Sequence, residues 1–196
     1  HTLLHAPRVV AWGGSGGGFA AIRIAKDVLN AIALVWNPQT DIAKYTQNPV
    51  SRYRRIAFPT IAADGAFPSG RDQFPSLCTD EFCEGYKGRI FYLQESSDWH
   101  VKGHLAPLLS KFCRKVLSDI TDSSAFSGLV SDRLYLHLDR WGDGHVPPKK
   151  EVLSKVLGLL SDVTINGENV ENPASFPGVV IQYVKSNLSL QVQGQS

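Results

Sequence analysis

The 196-residue sequence contains no methionine and only three cysteines, Cys78, Cys83 and Cys113. A small, odd number of thiols argues against a disulfide framework, and a reducing, cytoplasmic setting is the expectation that follows. Cys78 and Cys83 are near enough in sequence for one bridge or half a zinc site, yet no second CxxC-type pair completes a metal cage. Charge of one sign is equally scarce. Twenty Lys and Arg against eighteen Asp and Glu leave a net charge of +2, with no basic stripe for nucleic acid and no acidic tail. The longest apolar runs are broken by Asn, Lys or Arg and are too short for a membrane span. The opening HTLLHAPRVV has neither an initiator Met nor the apolar core of a signal peptide, and a strand is expected almost at once. The sequence is therefore expected to start inside a larger protein.

What is present is an ordinary globular composition, 43% hydrophobic and 19% charged, enough for one domain with a sizeable core. Short apolar runs alternate with stretches of helical spacing. Residues 8–12, 31–36, 88–94 and 132–139 read as strands, and FAAIRIAKDVL, HLAPLLSKFCRKVLS and PPKKEVLSKVLGLLS as helices. Pro147 or Pro148 suits the first turn of the last of these. Such alternation predicts an α/β protein with a parallel sheet, whose chemistry collects at the carboxyl ends of the strands. Two segments break the rhythm. Residues 38–87 are too long for a simple connection and are expected to form a lid over the strand ends. From 162 to 196 the alternating β-type residues and the Asn-Gly and Pro-Gly turns predict the beginning of a β-rich domain, with the α/β core spanning 1–161.

The most informative stretch is VVAWGGSGGGFAAIRIAKD, residues 9–27. Gly16-x-Gly18-x-x-Ala21 fits a loose dinucleotide-binding pattern between a strand and a helix. The acidic residue that pattern needs at the end of the second strand is missing, because the segment there reads ALVWNPQ. There is no GK[ST] sequence for a Walker loop either. The same stretch also satisfies G-x-S-x-G through Gly13 to Gly17. In that arrangement a serine sits on a sharp turn, small neighbours let strand and helix approach, and the N–H of the next residue points at a developing oxyanion. This assigns Ser15 as a nucleophile and Gly16 as an oxyanion donor, with Gly14 beside the substrate.

A nucleophilic serine needs a base and an orienting acid, in the chain order Ser, Asp/Glu, His for this kind of fold. The strand GRIFYLQ ends in ESSDWH, which offers Asp98, and the strand DRLYLHLD is followed by RWGDGH, which offers His145. Glu95 and Asp143 compete for the acid role, the first nearer its strand, the second too close to His145 to orient its ring easily. His100 and His104 are spaced for a helical metal pair, but without an HE pattern a substrate-lining role is the stronger reading, and no metal is expected. Trp99 and Trp141 are candidates for a sugar platform and, equally, for core packing. Arg52, Arg54 and Arg55 form a solvated patch or attract an anionic substrate.

With GGSGGGFAA, VWNPQTDI, LQESSDWHVKGHLAPLL and WGDGHVPP in this order, residues 8–160 resemble the α/β-hydrolase superfamily. More narrowly they resemble the hydrolase-like proteins of bacterial glycan and capsule loci and the glycan O-acetyltransferases of the accessory secretion system. The resemblance implies a Ser15–Asp98–His145 triad, no cofactor, and a small-molecule or glycan ester as substrate. It implies an esterase, with a glycan O-acyltransferase or a non-catalytic binding protein on the same scaffold as alternatives. Such folds normally place several strands before the serine turn, one of which provides a second oxyanion donor.

Overall fold

The computed structural model describes residues 9–60, 67, 76–113, 120, 124–165 and 178–188. Its centre is a five-stranded sheet in the order β1-β2-β3-β5-β4. The strands are β1 (Val10–Gly14), β2 (Ile32–Trp36), β3 (Arg89–Glu95), β4 (Phe126–Leu129) and β5 (Leu134–Asp139). β1, β2, β3 and β5 run parallel, with Val10 opposite Ile32, Ile32 opposite Arg89 and Ile90 opposite Leu134. β4 is antiparallel to β5. The four parallel strands correspond to the four apolar runs of the sequence. β4 escaped that reading because FSGL is short, carries a glycine and is only half-buried, so it lacks an apolar signature.

Both faces of the central strands are covered, which explains why β2 and β3 read as continuous apolar runs. Alternate residues go to opposite layers. Ala33, Val35, Ile90, Tyr92, Leu134 and Leu136 pack with Phe19, Ile22 and Ala25 of α1 (Ser15–Asp27), and with Leu108 and Leu109 of α4 (Ala106–Phe112). Ile32, Leu34, Phe91, Leu93 and Tyr135 pack with Val152, Val156 and Leu160 of α5 (Lys150–Ile165). The result is an α/β architecture of three layers around a mostly parallel sheet.

The expectation of a β-rich segment from residue 162 is not met where the chain is described. α5 continues to Ile165, and Gly178–Leu188 form a further helix, α6. Val180, Val184 and Leu188 recur at helical spacing, and all three are buried in the core cluster that holds α5 and Tyr135. Burial of that stripe outweighs the local β-preference of its valines. Residues 166–177 and 189–196, with their turn signals, lie outside the described residues.

The 38–87 insertion is helical in its described parts, with a 3-10 turn at Ile42–Lys44, α2 (Gln47–Ala57) and α3 (Asp80–Cys83). Ile42, Val50, Leu77 and Phe82 are buried, so both ends of the insertion are anchored in the core. Residues 61–66 and 68–75 lie outside the described residues.

Candidate functional site

The turn from β1 into α1 is built from close approaches. A Cβ on Gly13 would lie 2.6 Å from the backbone of Gly17, and one on Gly18 would lie 2.5 Å from Pro38 Cβ. Only glycine lets the strand, the first helical turn and the β2 loop meet at these distances. Between them Ser15 has φ +50°, a left-handed backbone that a serine adopts at a cost. Ser15 opens α1, and Gly16 follows it in the exposed first turn, where helical N–H groups have no intrahelical partner. Gly14 faces Trp36, whose Nε1 lies 2.1 Å from where its Cβ would be.

The loop after β2, Asn37-Pro38-Gln39-Thr40, joins this turn to the rest of the strand ends. The Gln39 backbone N–H donates to Ser15 O at 3.0 Å, and Gln39 Nε2 lies 3.4 Å from Ser15 Oγ. Asn37, also left-handed at φ +41°, is buried and bonded on every side. Its N–H donates to Leu93 O, its Oδ1 accepts from Glu95 N at 2.8 Å, and its Nδ2 donates to Val146 O at 2.7 Å. Asn37 O contacts His100 Nδ1 at 2.9 Å. One side chain thus ties the ends of β2 and β3 to the loop after β5. Sequence reasoning gives no individual role to Asn37 or Gln39, which enter only through the VWNPQTDI stretch. The polar Asn-x-Gln-Thr set directly after a fully apolar run was the available signal.

The β3 and β5 loops bring Asp98 and His145 together. Asp98 is buried, its Oδ1 accepts from His100 N at 3.0 Å, and its Oδ2 lies 2.6 Å from His145 Nδ1. His145 is partly exposed, and its Nε2 faces away from the acid. The competing acids are otherwise engaged. Glu95 Oε2 accepts from Ser97 N and Ser97 Oγ, and Ser97 Oγ in turn accepts from Gly144 N at 2.9 Å, one residue before His145. Burial raises the Glu95 pKa, and the two Ser97 bonds oppose that shift. Asp143 is exposed and paired with Arg140 at 2.8 Å. Ser15 Oγ, by contrast, has Gln39 as its side-chain partner, and the hydrogen bond expected from it to His145 is not formed.

Against His145 lies a cluster of buried histidines whose rings meet tilted or edge-on. His100 is fully buried, with its ring centroid 4.3 Å from that of His145 and 4.4 Å from that of His104. Burial lowers the His100 pKa against the pull of Asp98. Burial, reinforced by His100, lowers that of His104 to about 4, and its Nδ1 accepts from Thr40 N at 3.2 Å. Both rings are therefore neutral near pH 7. His100 is fully buried against His145, away from the open surface, in contrast to the substrate-lining position expected of it. Trp141 is buried against the α5 layer with Nε1 donating to Val146 O, the core-packing one of its two expected roles. Trp99 is about half exposed and stacks on Tyr45 with centroids 5.8 Å apart.

Cys78, Cys83 and Cys113 are free thiols, and burial pushes Cys83 up to about 12. Asp98, His100 and His145 place three potential metal-ligating atoms within 4.8 Å of one another. Two of those groups already bond each other directly, and His100 Nδ1 is engaged by Asn37 O. Arg52, Arg54 and Arg55 lie on α2, and the Arg54 guanidinium sits 4.7 Å over the Phe67 ring. No described helix is long and apolar enough to cross a membrane. No family model, curated protein or solved structure matches the chain significantly.

Proposed function

We propose that the chain is a serine-dependent acyl-transfer enzyme, acting as an esterase on an ester substrate. The observation that carries this reading is the 2.6 Å contact between His145 Nδ1 and buried Asp98, at the same sheet edge as a serine held on a left-handed turn. Asp98 fixes the tautomer that leaves His145 Nε2 as the base. His145 takes the Ser15 proton as Ser15 Oγ bonds the ester carbonyl carbon, and the Gly16 N–H and the Gln39 side-chain Nε2–H stabilise the oxyanion. The ester C–O bond then breaks, and the proton passes from His145 to the leaving alkoxide. Water repeats the sequence on the acyl-serine to release the acid. A sugar hydroxyl in place of water gives a glycan O-acyltransferase, which rests on the sequence resemblance.

A second reading, a binding protein on an inactive scaffold, is favoured by one observation: Ser15 Oγ is not hydrogen-bonded to His145. Catalytic hydrogen bonds often tighten only with substrate, so this does not decide between the two. Labelling with a fluorophosphonate probe does. The wild-type chain is expected to label, Ser15→Ala and His145→Ala are expected not to, and Asp98→Asn is expected to slow turnover about 10,000-fold. A folded wild-type protein that stays unlabelled would overturn the enzyme reading and leave the binding one standing.

A further inference from the structure

Next to Ser15 is a cavity of about 530 Å³ between α1 and the insertion. Its size falls within the range of small-molecule sites, about 300–1,000 Å³. Two of its lining residues, Gly16 and Gln39, are those in contact with the serine turn. The rest of the wall is mostly carbon: Phe19 and Ile24 from α1, Ile42 and Tyr45 from the 3-10 turn, Val50 and Tyr53 from α2. The charged group in the wall, Arg23, pairs with Asp27 at 3.8 Å and lies 6.0 Å over the Phe82 ring. A hydrated sugar finds little to hydrogen-bond on such a wall, whereas an alkyl chain sheds its water there favourably.

We infer that this cavity holds the chain of the acyl group, so that medium-length aliphatic esters are preferred over acetyl esters as acyl donors. The inference deepens the proposed function and rests on Ser15 being the nucleophile. It also departs from the acetyl specificity that the resemblance in the sequence would suggest. The carbonyl carbon sits at Ser15, and the chain runs from the Gly16–Gln39 end between α1 and α2. A buried methylene is worth about 0.8 kcal/mol, or about fourfold in kcat/KM.

The test is the full chain assayed on p-nitrophenyl acetate, butyrate, hexanoate, octanoate and decanoate. Values of kcat/KM are expected to rise by about 100-fold or more from acetate to hexanoate, following that increment. Ala20→Phe, from an exposed position on α1 that lines the cavity, is expected to cut the hexanoate-to-acetate ratio at least tenfold. If that variant fails to fold in a thermal melt, Ile24→Trp on the same wall replaces it. A profile that is flat or falls with chain length, in protein whose Ser15 labels normally, overturns the cavity assignment and leaves the nucleophile intact. Octanoate binding to Ser15→Ala, followed by nuclear magnetic resonance, separates the two ideas. Binding blocked by Ala20→Phe in a chain that never labels keeps the cavity and removes the nucleophile. Loss of both binding and chain-length preference removes the inference.

Discussion

Gly13 and Gly17 belong to one turn and answer to different constraints. A methyl group on Gly13 would collide with the Gly17 backbone at 2.6 Å, whereas one on Gly17 meets nothing within 4 Å. Gly17 also lies inside α1 with an ordinary negative φ, where glycine costs about 0.5–1 kcal/mol relative to alanine. Gly17→Ala is therefore expected to stabilise the protein by about 0.5–1 kcal/mol in denaturant unfolding. Gly13→Ala is expected to destabilise it and to misplace Ser15. Equal effects of the two substitutions would mean that the turn is looser than its distances indicate. The density of glycine in this stretch is thus partly a packing requirement and partly surplus.

At the scale of elements, the loops matter more than the strands that carry them. Asn37 reaches Glu95 N and Val146 O with one amide while its own backbone is bound to Leu93. Asn37→Gly keeps the left-handed turn and removes both side-chain bonds, leaving the Glu95 N–H without its partner while Val146 O keeps its bond from Trp141 Nε1. A loss of about 1–3 kcal/mol is expected from denaturant melts, with His145 loosened and fluorophosphonate labelling slowed. A loss well under 1 kcal/mol would show that other contacts hold the loops in place. The strands themselves were legible, since Ile32–Trp36 and Arg89–Glu95 are apolar on both faces and sit within a residue of their expected bounds. The structure brings Asp98 and His145 into contact, and the places of Ser15, Asp98 and His145 after their strands were legible. Asn37 was not, because its partners at Glu95 and Val146 are distant in sequence and its role exists only once the strands are ordered. α6 was misread for a related reason: the valines that favour a strand locally are spaced to bury one helical face.

The whole molecule responds to acid through histidines that folding keeps neutral. Burial lowers His104 and His137 to about 4 each, whereas an unfolded histidine titrates near 6.5. Above pH 6.5 neither form carries the proton, so the full stability is present. Between 6.5 and 4 the unfolded chain binds protons that the native chain refuses, and stability falls as pH falls. Each residue contributes a slope of up to about 1.4 kcal/mol per pH unit and a total on the order of 3 kcal/mol. Denaturant melts from pH 7 to 4 are expected to show this loss, and His137→Gln to remove about half of it. A midpoint that stays constant down to pH 4.5 would contradict the burial of both rings.

The parallel sheet also dictates when the candidate site can assemble. The serine turn forms from neighbours in the chain, but Asn37 bonds Val146 across 109 positions and His145 meets Asp98 across 47. Contacts that close such long loops form late and slowly, after the strands between them have docked. A nascent or half-folded chain therefore carries Ser15 apart from the Asp98–His145 pair. On the proposed function, Ser15 gains its base only when β5 takes its place, and the turn alone is an ordinary alcohol until then.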